Sequence, residues 1–329
     1  MGSEVAVAGA SVSDVSRSHD VSYVELVDGR RFVVKQVSAA AREQGRSLGS
    51  ESFVYRLAGW IPEVALALPR PLLVDERHQV LALEAAPACQ LYVAHLAAPN
   101  FPGAPAAAAL GATLARVHRA TTAVPTLFRA SVGVLDLPDV AHDHVMPAGG
   151  ETTIKVVDRA AADSVLMEAL RSGRRSWRAR CLIHGDVKWD NTILDPGPPV
   201  AVKLFDWELA GSGDPAWDLG SALADLRAVR IRRRGSGAVS RRVEGWMGAA
   251  ELALLRGYAG SADELDDDFA ERVLLYWIGR TVHLSLEASV GVGSSTHPAV
   301  TGLLHAAQQL AALQRDLVPL TLAALDRHR

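Results

Sequence analysis

The sequence predicts an α+β chain of two unequal lobes. A small N-terminal antiparallel β lobe with one helix takes residues 1–86, and a large, mainly helical lobe takes residues 87–329. Three observations lead there. Two β-rich runs, residues 21–27 and 31–37, flank Asp28-Gly29, a strong hairpin signal. In the second half, apolar residues recur at helical spacing, as in Leu274, Leu275 and Ile278 and again in Leu303, Leu304 and Leu310. Between these regions one short β unit, residues 181–208, concentrates polar residues between apolar runs.

Composition narrows the class. With 329 residues, 49% of them hydrophobic and 22% charged, the chain can bury an ordinary core and is not a disordered one. A net charge of −3 gives no global pull toward nucleic acid or a membrane surface. No apolar stretch reaches the ~18 residues of a membrane span, and the N-terminus lacks a signal-peptide pattern. Met1-Gly2 opens a myristoylation-like start, but Ala6 stands where that motif needs Ser or Thr. The two cysteines, Cys89 and Cys181, sit in apolar settings and read as reduced core residues, so the expected compartment is the cytoplasm.

The first twenty residues are small and polar, frayed at first and then entering the sheet. In the run 31–37, Arg31, Val33, Lys35 and Val37 share one face by strand parity. A lysine among valines is either a snorkelling edge residue or a charge held over nucleotide phosphates, and the run alone leaves both open. The second role needs an acidic partner from the next helix. Glu51 shares a helical face with Leu48, Val54, Tyr55 and Ala58, where an unpaired carboxylate is costly. Glu43 lies in a stretch interrupted by Gly45 and Gly49. Glu51 is therefore the partner. Residues 72–75 and 79–84 read as two more strands, the second running into Ala85-Ala86-Pro87.

In the larger lobe a helix carries Leu110, Leu114, Val117 and His118. Residues 121–150, rich in Pro and Gly, read as loops, and one helix from about 157 to 180 leads to the β unit. Pro215 suits the first turn of a helix carrying Trp217-Asp218-Leu219-Gly220. Asp218, in that apolar helix, must accept hydrogen bonds, and it reads as structural support. Arg227, Arg230, Arg232, Arg233 and Arg234, with Arg241 and Arg242, read by default as a solvated loop. The remaining reading is a dock for an acidic peptide or a phosphorylated product. Asp263, Glu264, Asp266, Asp267 and Asp268 form an acidic patch, which caps a helix start or attracts amines.

The stretch 181–208 carries the chemistry. An apolar run leads into His184-Gly185-Asp186, Asn191 follows, and a second strand ends on Asp206-Trp207-Glu208. Phosphoryl transfer needs one carboxylate to accept the proton of the attacking hydroxyl. It needs an amide oxygen and a second carboxylate to hold the magnesium ions on the nucleotide phosphates. A hairpin presents all three on one rim, as Asp186, Asn191 and Asp206. Lys188, two places after Asp186, offers a cation to the phosphoryl oxygens.

The segments "HGDVKWDN" and "FDWELAGSGDPAWDLGSALADL" resemble the aminoglycoside phosphotransferase and choline kinase family, which has a protein-kinase-like fold. The resemblance implies ATP and Mg2+ as cofactors, Asp186 as catalytic base, and Asn191 and Asp206 as metal ligands. It implies Lys35 as the nucleotide lysine braced by Glu51, within "ESFVYRLAGW". It places the adenine hinge at Glu84 to Ala86, and it has Asp218 bracing the catalytic loop. The glycine-rich loop of kinases is absent; residues 13–20 take its place, with phosphate contacts assigned to Ser16, Arg17 and Ser18.

Within that family the same segments are closest in look to the phosphotransferase subunits of class V lanthipeptide and thioamitide biosynthesis. That implies a Ser/Thr hydroxyl of a precursor peptide as acceptor and a lyase as possible partner. Two alternatives stand beside it: a small-molecule kinase of the aminoglycoside or amino-alcohol type, using an acidic acceptor pocket, and a non-catalytic nucleotide-binding scaffold.

Overall fold

A computed structural model describes residues 4–7, 10–14, 20–43, 47–85, 89–90, 103–124, 128–139, 150–195, 199–234, 247–262, 265–266 and 268–326. The N-terminal part is built on an antiparallel sheet of order β1-β2-β3-β4-β6-β5. Its strands are β1 (Glu4–Val7), β2 (Ala10–Asp14), β3 (Asp20–Leu26), β4 (Arg31–Gln36), β5 (Pro71–Asp75) and β6 (Val80–Glu84). The Asp28-Gly29 turn closes β3 onto β4: Gly29 takes φ +81°, which a Cβ would resist. The Asp28 carboxylate accepts from the Arg30 backbone and guanidinium. The sheet thus starts at Glu4, inside the stretch expected to fray.

Three helices lie in this part where one was expected: α1 (Ala39–Glu43), α2 (Gly49–Leu57) and α3 (Pro62–Leu66). The two additions have five residues each, too few for a periodic apolar signal.

After the short strand β7 (Cys89–Gln90) the chain is mainly helical, through α4 (Ala104–Ala120), α5 (Gly150–Ala161) and α6 (Ser164–Arg175). The single helix expected over 157–180 is two. Asp163 interrupts it, its side chain capping the second by accepting from the amides of Val165 and Leu166. Within the expected loop 121–150, a 3₁₀ turn forms at Gly133–Asp136, and the Ala130 amide donates to the Ser212 carbonyl.

Then come β8 (Cys181–Ile183), β9 (Thr192–Asp195), β10 (Ala201–Leu204) and β11 (Gly211–Gly213). β9 pairs with β10 and β7, and β8 with β11. The chain continues through α7 (Pro215–Arg234), α8 (Ala249–Ala259), α9 (Phe269–Val292) and α10 (Pro298–Leu325). No helix among the described residues is long and apolar enough to cross a membrane.

The described part of the arginine stretch departs from the solvated loop; Arg241 and Arg242 lie outside the described residues. Helix α7 extends through Arg234, Arg227 is buried, and Arg230 pairs with the fully buried Glu251 of α8. Packing of α7 against α8, α9 and α10 overrides the charge pattern. Of the acidic patch, Asp263, Glu264 and Asp267 lie outside the described residues, and the other two are paired. Asp266 pairs with Arg178, Arg180 and Arg272, and Asp268 with Arg178 and Arg272.

Helices α4 and α8 cross at backbone distance through two glycines. A Cβ on Gly111 would meet the Leu254 carbonyl, and one on Gly257 the Ala108 carbonyl. Gly257→Ala therefore forces the crossing apart and destabilises the protein by about 1–3 kcal/mol, read as a lowered urea midpoint. An unchanged midpoint would mean that the crossing relaxes freely.

Candidate active site

Strand β8 is buried along its length and delivers His184-Gly185-Asp186 to the rim. Gly185 adopts φ +83°, and a Cβ there would strike the Leu209 carbonyl, so the turn accepts only glycine. The loop backbone is held from below. The Asp218 carboxylate on α7 accepts from the amides of His184 (2.8 Å) and Gly185 (3.0 Å) and lies 3.1 Å from His118 Nε2. Trp217 Nε1 donates to the Gly185 carbonyl, and Asp225 accepts from the Trp189 amide. His184 Nε2 lies 2.9 Å from the Phe205 carbonyl, tying the loop to the end of β10. These bonds satisfy backbone groups of the loop and hold it in place.

This scaffold brings Asp186, Lys188, Asn191 and Arg280 together. Asp186 Oδ2 accepts from Lys188 Nζ at 2.6 Å and Asn191 Nδ2 at 3.1 Å, and Oδ1 accepts from Arg280 Nη2 at 2.6 Å. Burial pushes the Asp186 carboxyl up, but the charges of Arg280 and Lys188 outweigh it and hold it at about 2. Asp186 is thus a carboxylate at any working pH.

Asp206 follows β10 in the left-handed region, φ 65° and ψ 56°. For a residue other than glycine this is strain of about 1–3 kcal/mol, and it turns the carboxylate back toward Lys35. Lys35 Nζ donates to Asp206 Oδ1 at 2.5 Å and Glu51 Oε2 at 2.6 Å, with Glu208 at 3.9 Å. Burial alone would lower the Lys35 pKa, yet Glu51 and Asp206 drive it above its ordinary value. Burial and the Asp206 charge push the Glu208 carboxyl up. Two clusters result, one on Asp186 and one on Lys35, and the Glu208 carboxyl feels the charges of both. Helix α2 presents Glu51 to Lys35, and Phe53, two residues on, makes an edge contact with Phe128.

Glu51→Ala leaves Lys35 with Asp206 as its close partner in a nearly dry setting. Breaking a buried pair in this way costs about 3–5 kcal/mol, measurable by urea unfolding. A loss below ~1 kcal/mol, the size of a surface pair, would show that Asp206 alone satisfies the lysine.

Glu84 ends β6, exposed, with its amide donating to the Arg70 carbonyl and that of Ala85 to the Arg31 carbonyl. Ala86 and the loop residues Ser16, Arg17 and Ser18 lie outside the described residues. Two participants escaped the sequence reading. Glu208 stood in the quoted motif but received no role. Arg280 was passed over within a core stripe, although an arginine in an apolar helix is a signal in itself, because a buried guanidinium demands a partner.

The donor set suits magnesium carried on a nucleotide. Asp206, Asn191 and Glu208 are hard oxygen donors. Among the described residues no three His, Cys, Asp or Glu side chains form a ready metal cage. Nucleotide-borne magnesium needs only one or two protein carboxylates, since phosphates and water complete its shell.

Similar folds are known. The choline kinase of Cryptosporidium parvum superposes with a TM-score of 0.58 at 10% identity, over 98% of this chain and 95% of its own. The choline kinase LicA of Streptococcus pneumoniae gives 0.57 at 14%, over 94% of each chain. A choline/ethanolamine kinase family protein of Mesorhizobium loti gives 0.56 at 18%, over 97% of this chain and 92% of its own. No curated protein matches the chain. The class is a phosphotransferase. Residues 13–258 match the phosphotransferase enzyme family APH, and the chain belongs to that family.

Proposed function

We propose that this chain is an ATP- and Mg2+-dependent kinase of Ser and Thr hydroxyls in a ribosomally made precursor peptide. It acts in the cytoplasm, and a partner lyase then eliminates the phosphate to leave dehydroamino acids. Residues 1–86 form the nucleotide roof with Lys35 and Glu51, and residues 87–329 bring the rest.

Lys188 carries the reading. Its ammonium lies 2.6 Å from the Asp186 carboxylate and its side chain is 27% exposed, so it can turn toward incoming phosphoryl oxygens. A cationic small-molecule acceptor would instead want free carboxylates. The described members of the acidic patch, Asp266 and Asp268, are already neutralised by arginines. The resemblance of residues 181–225 to peptide-modifying phosphotransferases points the same way.

Asp186 orients the acceptor hydroxyl and takes its proton as the oxygen bonds to the γ-phosphorus and ADP departs. Lys35, held by Glu51, meets the nucleotide phosphates, and Lys188 offsets charge on the transferred group. Asn191 and Asp206 would hold magnesium, which neutralises the phosphate charge. Catalysis is then mostly positioning and electrostatics.

The test offers Mg-ATP with a Ser/Thr-rich precursor peptide, choline or an aminoglycoside, and mass spectrometry reads the products. Addition of one phosphate to the peptide is the expected result. Phosphate on choline or the aminoglycoside, with none on any peptide, rejects the proposal in favour of a small-molecule kinase.

A further inference from the structure

Arg280 lies on α9, 94 residues beyond the aspartate it touches, and its side chain is 1% exposed. Its Nη2 donates to Asp186 Oδ1 at 2.6 Å from the buried side. The other oxygen, Oδ2, receives Lys188 and Asn191. The two cations on Asp186 therefore differ in kind. Lys188 sits on a flexible stem at 27% exposure and can leave, whereas Arg280 is walled in.

Arg280 is itself gripped along its helix. Nη1 lies 2.8 Å from His283 Nδ1 and donates to Glu287 Oε1 at 3.3 Å, one and two turns further along the same face. Glu287 also lies 3.6 Å from His283 Nε2. This grip leaves Arg280 Nε buried without a hydrogen-bond partner among the described residues. A buried pair with an orphaned donor is a poor stabilising device compared with apolar packing. The arrangement makes sense if the orientation of Asp186 is what it secures.

We propose that Arg280 is the positioning residue for the proton-accepting carboxylate. It fixes Asp186 through Oδ1, so that Oδ2 is the oxygen offered to the acceptor hydroxyl once Lys188 turns to the phosphoryl group. The proposal rests on the reading of Asp186 as that carboxylate. A guanidinium on a base weakens it as a proton acceptor, which would count against the arrangement if the proton had to be removed early. In a loose phosphoryl-transfer transition state there is little for the protein to do except place the groups, so fixed direction outweighs basicity.

The test uses the full chain with Mg-ATP and water as acceptor, so no peptide need be identified. ATP turnover and the Kd for a non-hydrolysable ATP analogue with magnesium are measured for the wild type, Arg280→Gln, Arg280→Lys, Asp186→Asn and the Arg280→Gln/Asp186→Asn double variant. Arg280→Gln is expected to lower turnover about 10²-fold, the penalty of a misplaced reacting group, with the analogue's Kd unchanged. Arg280→Lys recovers part of the loss. In the Asp186→Asn background, Arg280→Gln adds little, because the two act as a unit.

Wild-type turnover in Arg280→Gln beside an impaired Asp186→Asn overturns the proposal, as does an equal loss in both backgrounds. Wild-type turnover in Asp186→Asn overturns the reading of Asp186 itself. Thermal melts establish folding. Should Arg280→Gln not fold, Arg280→Lys decides: reduced turnover at unchanged Kd supports positioning, and full turnover refutes it.

Discussion

Asp186→Asn is expected to lower kcat for acceptor phosphorylation by ~10²–10⁴-fold, the contribution of a positioned proton acceptor. Asparagine keeps the shape and can still accept from Arg280, so the loop held by Asp218 and Trp217 stays in place. The effect should fall on kcat and leave the KM for ATP nearly unchanged, because Lys35, the proposed nucleotide lysine, pairs with Glu51 and Asp206 instead. A rise in KM with kcat intact would place Asp186 in nucleotide binding and remove it from the chemistry.

The second large effect is expected at Asp206→Asn, a loss of ~10³-fold in kcat/KM. That corresponds to several kcal/mol of charge stabilisation lost at a proposed metal ligand. Asparagine is the informative replacement because it tolerates the left-handed backbone at this position, so the turn survives. If Asp206 holds magnesium, raising its concentration restores part of the activity in the variant, and the wild type responds far less. Loss of activity with no response to magnesium would mean that Asp206 acts only as a partner of Lys35. Full activity would remove it from the site altogether.

How much was legible in advance follows from sequence distance. Asp186, Lys188, Asn191 and Asp206 fall within one β hairpin and its flanking loops, so spacing alone brings them to one rim. Lys35 and Glu51 are 16 residues apart. Strand parity and a helical face offered the pair but left the lysine's role open, and the motifs downstream with the family resemblance decided it. The contact of Lys35 with Asp206 spans 171 residues, and nothing local encodes it.

Other misreadings share one cause. The arginines of α7 looked solvated because their charge was visible, while the helices that bury Arg227 and pair Arg230 with Glu251 were not. Asp266 and Asp268 read as part of a helix start or an amine-attracting patch. Their pairing with arginines was hidden because Arg178, Arg180 and Arg272 reach them from elsewhere in the chain or from a later helical turn.

The sequence by itself determined the antiparallel sheet with its Asp28-Gly29 turn, the helical second part, and the carboxylate-amide-carboxylate order of the hairpin. Those features are governed by local propensity and short spacing, which a linear string records. Only the tertiary structure decided that Arg280 of α9 grips Asp186, that Asp206 turns back onto Lys35, and that Asp266 and Asp268 are spent on arginines. Each of those depends on which side chains packing leaves without water, and a buried charge takes whatever partner the fold brings within reach.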